Sequence, residues 1–404
     1  MLPWSLRPCG VDAYGLVPYP HQPSENAPVN TVDERPPTAT LTANDARVEL
    51  AALAAEHADL PQRTIADNTR RYLQPDWNQY ATWCARHSLD ALPVDPKLVG
   101  MYVLAEAKLT RADGTPQFKA SSIGRHVASI AWMAYQTGSG RGLGSHPDVA
   151  NAVKAVRRTR QEPRAAKHPL LLNDVTALIN AMDHRRWPAG VIAARDTLAI
   201  LLGFTAALRR SEAAALTTAQ LHPAPVTADG LQVRLGRSKT DQEGRGAVLG
   251  IPFGTASVTC VPCARIRWLH LIAAATRPEA MELTLVTPSN PADWEHVCAD
   301  TAPPLDPSTP LLRPVDKFGR IGADPISGSG LNALLKRRLG AAGYHPPNYG
   351  WHSLRAGMVT QARRNGASTR AVRRQTRHTS DAMVDVYDRD WNPLDGSAVL
   401  QLGL

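Results

Sequence analysis

From residue 46 onward, apolar side chains recur at three- and four-residue intervals, the period that lines them along one face of an α-helix. The pattern begins with Ala46, Val48, Leu50 and Leu53 and sharpens where Leu73, Trp77, Tyr80 and Cys84 follow at four-three-four spacing. That second stripe is expected in a core. Further helices are predicted over residues 98–107, across Ile123, Val127, Ile130 and Ala134, and across Val149, Val153 and Val156, with Gly- and Pro-containing turns between them. Residues 46–166 therefore predict an all-helical domain.

A second helical pattern opens with Val175, Leu178, Ile179 and Met182 and runs on through the very apolar residues 198–204. The period then changes to two. Residues 231–237 (LQVRLGR) and 247–252 (AVLGIP) read as strands, joined by the polar turn segment SKTDQEGRG. Helices are predicted again at 261–275, 329–342, 353–365, 369–377 and 380–388, whereas the Pro-rich stretch 276–326 predicts an irregular insertion. The expected fold is mainly α with a small antiparallel sheet, in two domains, 46–166 and 167–404. Residues 1–45, with Pro18, Pro20, Pro23, Pro28, Pro36 and Pro37 and little apolar periodicity, predict a mobile arm.

Charge narrows the partner. Lysine and arginine number 45 against 36 acidic residues, a formal charge of +9 that favours a polyanion. No apolar run reaches the roughly 18 residues that a membrane-spanning helix requires, and residues 1–9 lack the apolar stretch of a signal peptide. A cytoplasmic, nucleoid-associated protein is the expectation. Five cysteines, Cys9, Cys84, Cys260, Cys263 and Cys298, are too few and too scattered for a disulfide framework.

The positive charge is concentrated in two places. The segment from Lys154 to Lys167 holds six basic side chains and one acid and predicts an interdomain linker, with Arg157 and Arg158 as candidate DNA contacts. From Arg363 to Arg377 there are six arginines and no acid, which makes Arg370, Arg373, Arg374 and Arg377 further candidates. A solvated face is the plain alternative for both runs.

Four short motifs carry possible chemistry. Arg209 sits in FTAALRRSEAAAL at a helix-to-helix junction, followed by Glu212; Lys239 lies in the polar hairpin loop. Far downstream, WHSLRAG sets His352 and Arg355 three residues apart on one helical face, and His378 precedes Tyr387 by nine residues. Guanidinium groups suit an anionic phosphodiester because they stay charged and present a planar fork to its oxygens. A tyrosine is a possible nucleophile, but its ordinary pKa near 10 means that it needs activation.

On these motifs the chain resembles the tyrosine recombinase (phage integrase) family over about residues 46–390. In that family the catalytic set runs Arg, Lys, His-x-x-Arg, His or Trp, and Tyr. Here it falls on Arg209, Lys239, His352, Arg355, His378 and Tyr387. Two family glycines are replaced, by Ala207 and Arg377. The resemblance implies a two-domain DNA clamp that cuts double-stranded DNA at specific sites through a 3′-phosphotyrosyl bond on Tyr387. It also implies a homotetramer on DNA, weakly associated without it, strand exchange through a Holliday junction, and possible accessory proteins. Lys239 would be the general acid, and Glu212 would orient neighbouring groups.

The covalent bond conserves the phosphodiester energy, so neither ATP nor another cofactor is expected. The apolar tail over 391–404, with Val399, Leu400, Leu402 and Leu404, either packs on its own chain or passes into a neighbouring protomer. A type IB topoisomerase and a DNA-binding regulator that has lost the reaction are the alternative readings. Cys260 and Cys263, with His296 and Cys298, have a spacing that could hold zinc. The preferred expectation is no metal, because the pair opens a helix whose Ile266, Trp268 and Leu269 read as core.

Overall fold

The computed structural model describes residues 43–63, 67–160, 167–223, 230–236, 246–283, 285 and 290–385. It divides into two compact units, Met1–Pro163 and Arg164–Leu404, each with its own hydrophobic core. The Pro-rich arm over residues 1–42, residues 161–166 of the basic linker, Lys239, Tyr387 and the C-terminal tail lie outside the described residues.

In the first unit, α1 (Ala43–Arg63), α2 (Asp67–Arg86), α3 (Pro96–Lys108), α4 (Ala120–Gln136) and α5 (Pro147–Arg160) follow one another. Trp77, Tyr80 and Cys84 of α2 are buried against Val99, Tyr102 and Val103 of α3, Ile123, Val127 and Ile130 of α4, and Val149 and Val156 of α5. Each fully buried aliphatic side chain contributes about 1.5–3 kcal/mol. The start of α3 is written locally: Asp95 accepts from the Lys97 N–H at 2.8 Å, and Pro96 opens the first turn, where a missing N–H costs nothing.

The buried acids of this unit have partners. Buried Glu106 accepts from the Tyr102 hydroxyl at 2.7 Å and meets His126 Nδ1 at 2.8 Å, while Asp76 accepts from Ser129 Oγ at 2.7 Å and pairs with Arg125. Helix α1 differs, for its Val48, Leu50 and Leu53 are exposed despite their periodicity.

The second unit contains α6 (Leu172–Asn180), α7 (Ala189–Thr205), α8 (Arg210–Ala215), β1 (Leu221–Pro223), β2 (Gly230–Leu235), β3 (Ala247–Pro252), α9 (Val261–Ala273), α10 (Pro278–Leu283), α11 (Gly328–Ala341), α12 (His352–Arg364), α13 (Thr369–Thr376) and α14 (Ala382–Asp385). Helix α7 is buried nearly all round, with Leu198, Ile200, Leu201 and Leu202 inaccessible, which is why its sequence has no polar face. It packs against α9 and α12. Within this interior Asp196 is held between Arg195 and Arg338, the latter donating to Oδ2 at 2.7 Å.

The sheet is antiparallel in the order β1-β2-β3 and places Leu231 opposite Ile251 and Val233 opposite Leu249. Leu231, Val233, Leu235, Leu249 and Ile251 face the core, and Arg234 and Val248 point outward, the alternation that a half-buried sheet requires. Two strands were expected, and the described residues form three. β1 is three residues long and ends in Pro223, too short for an alternating pattern to register.

The stretch 276–326 carries α10 and a 3-10 turn at Pro291–Asp293 and is otherwise irregular among the described residues. It is nevertheless anchored, since Leu311 and Leu312 are fully buried and the Trp268 Nε1–H donates to the Leu311 carbonyl at 2.6 Å. No helix among the described residues is long and apolar enough to cross a membrane.

One close approach positions α12. The Leu170 N–H donates to the Ser353 carbonyl at 3.0 Å, and a Cβ on Gly357 would come within 1.6 Å of the Leu170 carbonyl oxygen. Only glycine fits there.

Candidate active site

The loop leaving α7 turns sharply. Ala207 takes a left-handed conformation, φ 47°, which redirects the chain after α7 and leaves its carbonyl available to other segments. The Trp351 Nε1–H donates to the Leu208 carbonyl at 3.0 Å and ties this loop to the start of α12. Arg209 is the N-cap of α8, and its N–H donates to Glu212 Oε2 at 2.8 Å, so the helix start fixes both residues at once.

His352 is exposed at the first position of α12 and lines one open cleft together with Leu208, Arg209, Arg210, Asn332, Gly350 and Trp351. One turn later Arg355 is buried. Its Nη1 donates to the Ala207 carbonyl at 2.7 Å, and its Nη2 donates to the Thr376 carbonyl. A single guanidinium thus bridges the α7–α8 loop and the end of α13.

Helix α13 ends at Arg377, which is left-handed with φ 59° and sends its side chain inward. Arg377 Nη2 donates to Glu212 Oε2 at 2.8 Å, while Arg209 Nη1 donates to Oε1 at 2.8 Å. Glu212 therefore holds two guanidinium groups. Burial pushes its carboxyl upward, but the charge of Arg377 and the hydrogen bonds from Arg209 outweigh that and keep it below the usual range.

His378 follows, buried, with Nδ1 2.8 Å from Thr376 Oγ1. That hydroxyl gives its one proton to the Val372 carbonyl at 2.7 Å, so it accepts from Nδ1–H, and the lone pair of a neutral ring lies on Nε2. Burial, and then the charges of Arg355, Arg209, His352 and Arg377, lower the His378 pKa to about 4. The imidazole is neutral at neutral pH.

Arg209, Glu212, His352, Arg355, Arg377 and His378 are thus brought together from three separate stretches of sequence. Lys239 and Tyr387 fall outside the described residues, although α14 ends two positions before Tyr387, with Val384 packed against Val359 and Val372. Of the other candidate DNA contacts, Arg157 and Arg158 are exposed on the last turn of α5, and Arg370 and Arg374 are exposed on α13. Arg373 instead braces the following turn, donating to the carbonyls of His378 and Thr379 and to Asp381 Oδ1 at 2.9 Å.

Thr376 was not among the sequence candidates. Its position two residues before His378 was the available signal, and it both orients that ring and receives Arg355. Cys260, Cys263, His296 and Cys298 also come together at the start of α9, their ligand atoms all within 4.8 Å of one another. The irregular stretch after α9 folds back over that helix start, a long-range packing event that spacing alone does not encode.

No family model matches the chain. A curated protein of Selenomonas ruminantium, an integrase/recombinase xerD homolog, is 26% identical over 340 residues, which cover 84% of this chain and 86% of that protein. Among solved structures, a lambda integrase dimer bound to a COC′ core site is similar at a TM-score of 0.46 with 13% identity, covering 88% of this chain and 84% of that one. The Tn1549 transposon integrase in complex with circular intermediate DNA is similar at 0.47 with 14% identity, covering 87% and 98%. The resemblance to tyrosine recombinases that the motifs suggest is borne out.

Proposed function

We propose that this chain, a relative of the tyrosine recombinases, is a site-specific recombinase that cuts and rejoins double-stranded DNA through a 3′-phosphotyrosyl bond to Tyr387. The observation that carries the reading is the convergence of Arg209, Arg355, His352 and His378 on one region around the Glu212 carboxylate. An excess of fixed positive charge at a cleft edge is what a phosphodiester transition state demands.

In the proposed step the Tyr387 hydroxyl oxygen attacks phosphorus in line, and the bond from phosphorus to the 5′ oxygen breaks. Arg209 and His352, on the open cleft, bind the non-bridging oxygens, where negative charge grows. Arg355 spends two N–H groups on backbone carbonyls, which fixes the site's shape and brings its charge close without leaving it exposed to solvent. His378, neutral with its lone pair on Nε2, is able to take the phenol proton. Lys239, on the hairpin loop between β2 and β3, gives a proton to the departing 5′ oxygen.

Rejoining is the same sequence reversed with a new 5′-hydroxyl. It needs no ATP, since one phosphodiester is exchanged for another. Arg157, Arg158, Arg370 and Arg374 are suited to backbone phosphates, which fix position on DNA without reading sequence. We assign the protein to the cytoplasm, acting as a homotetramer on two DNA sites.

The test is a denaturing gel of the protein with labelled nicked duplexes covering its own gene's flanks, comparing wild type with Tyr387→Phe. A covalent adduct formed by wild type alone supports the mechanism. Tight binding with no adduct on any duplex favours a regulator instead. Relaxation of plasmid lacking any preferred site favours a topoisomerase.

A further inference from the structure

Four side chains that the recombination chemistry does not use converge at the start of α9. Cys260 precedes the helix and Cys263 lies in its first turn, while His296 and Cys298 come from the irregular stretch after the 3-10 turn at Pro291–Asp293. Their ligand atoms lie within 4.8 Å of one another.

The spacing suits a tetrahedral ion. With Zn–S about 2.3 Å and Zn–N about 2.05 Å, tetrahedral angles require S···N near about 3.6 Å and S···S near about 3.8 Å. His296 Nδ1 is 3.4 Å from Cys263 Sγ and 3.8 Å from Cys298 Sγ, on either side of that value.

The surroundings are those of thiolates. The Gly254 N–H points at Cys260 Sγ from 3.4 Å, and the Val297 N–H points at Cys263 Sγ from 3.3 Å. Such donors offset negative charge on sulfur. His296 Nε2 lies 3.4 Å from the Thr255 carbonyl, which holds the proton on Nε2 and turns the Nδ1 lone pair toward the sulfurs. Cys260 and Cys263 are buried, whereas His296 is exposed and Cys298 half-exposed, so an ion can enter from one side.

We propose that Cys260, Cys263, His296 and Cys298 bind one structural zinc ion that fastens the irregular stretch to α9. Four protein ligands leave no open coordination position, so the ion has a structural role and not a catalytic one. A staple is useful here because little else crosses this junction in a regular pattern. Ser257 Oγ and Arg267 Nη2 both donate to the Glu295 carbonyl at 2.7 Å, and Arg267 lies over the Trp294 ring. The metal would close a loop of more than thirty residues between Cys263 and His296, which runs out along α9 and returns through the irregular stretch.

The test is metal analysis of the full chain, purified under reducing conditions without chelator. About one zinc per chain is expected. Cobalt(II) added to the reduced, zinc-stripped protein should give the intense visible bands of a tetrahedral thiolate site. Cys298→Ser, at the half-exposed edge, should lower zinc content about tenfold or more with the circular dichroism spectrum retained; Cys263→Ser serves as the second variant. Absence of both stoichiometric zinc and cobalt bands overturns the proposal. So does wild-type zinc content in both variants, or a Cys260–Cys263 disulfide in the freshly purified protein. None of these readouts depends on DNA cleavage.

Discussion

Arg377 reaches back 165 residues in sequence to donate to Glu212 Oε2 at 2.8 Å, and Arg209 occupies the other oxygen of the same carboxylate. Glu212 is only 8% exposed, so its removal leaves two guanidinium groups crowded in a poorly solvated place. Glu212→Gln should destabilise the fold by about 3 kcal/mol and slow covalent-adduct formation about tenfold or more. Urea melts read the first effect and single-turnover adduct kinetics the second. A variant as stable and as fast as wild type would show that the carboxylate organises nothing.

The two arginines of the proposed site should respond differently to the same substitution. Arg209 is one-quarter exposed on the cleft, whereas Arg355 is buried and its fork holds two backbone carbonyls. Lysine cannot reproduce a fork. Arg209→Lys is expected to cost under about 1 kcal/mol of stability and about a hundredfold in adduct formation. Arg355→Lys is expected to lose a similar rate and about 2–4 kcal/mol of stability. Equal thermal shifts for the two would contradict this division.

His378 makes stability depend on pH in one direction. Burial first, then the charges of Arg355, Arg209, His352 and Arg377, lower its folded pKa to about 4, against about 6.5 in the unfolded chain. Between those values the unfolded state binds more protons, so stability rises with pH across that window and levels off above it. As pH falls from about 6.5 toward about 4, this contribution is lost. His378→Asn should flatten the difference in midpoint measured at pH 5 and pH 7; an unchanged difference would assign it to other groups.

A pair of glycines separates close approach from mere helix propensity. Gly357→Ala must push a methyl group into the Leu170 carbonyl and should cost about 3 kcal/mol or more, or prevent folding. Gly340, exposed on α11, has only Pro346 Cγ at an ordinary 3.6 Å, so Gly340→Ala should be neutral or stabilise by up to about 1 kcal/mol. Thermal melts of the two side by side are the check.

Helices and their buried faces were legible in the sequence because the apolar period is local: Trp77, Tyr80 and Cys84 follow it and are buried. The gathering of Arg209, His352, Arg355 and His378 was legible only through the motifs, since no local pattern brings residues so distant together. β1 and the inward turn of Arg377 were not legible. A three-residue strand has no period, and the direction of Arg377 depends on the left-handed backbone that ends α13. The same backbone geometry falls at both positions where the resembled family carries glycine. Ala207 and Arg377 each have positive φ, where glycine is the unstrained choice. The four cysteine and histidine positions were visible as spacing, but their convergence was not, because the folding back of residues 290–300 has no sequence signature.

The chain that emerges from the basic linker is fastened directly to the base of α12. The His168 N–H donates to the Asn348 carbonyl at 3.0 Å, the Leu170 N–H donates to the Ser353 carbonyl at 3.0 Å, and Leu170 lies beneath Gly357. In mechanical terms this is a load path. Tension applied through the linker is delivered first to the turn that carries His352 and Arg355, before it can spread into the interior. A pull on this strand is therefore felt at the turn that bears His352 and Arg355, next to the two backbone hydrogen bonds where the strand is tied.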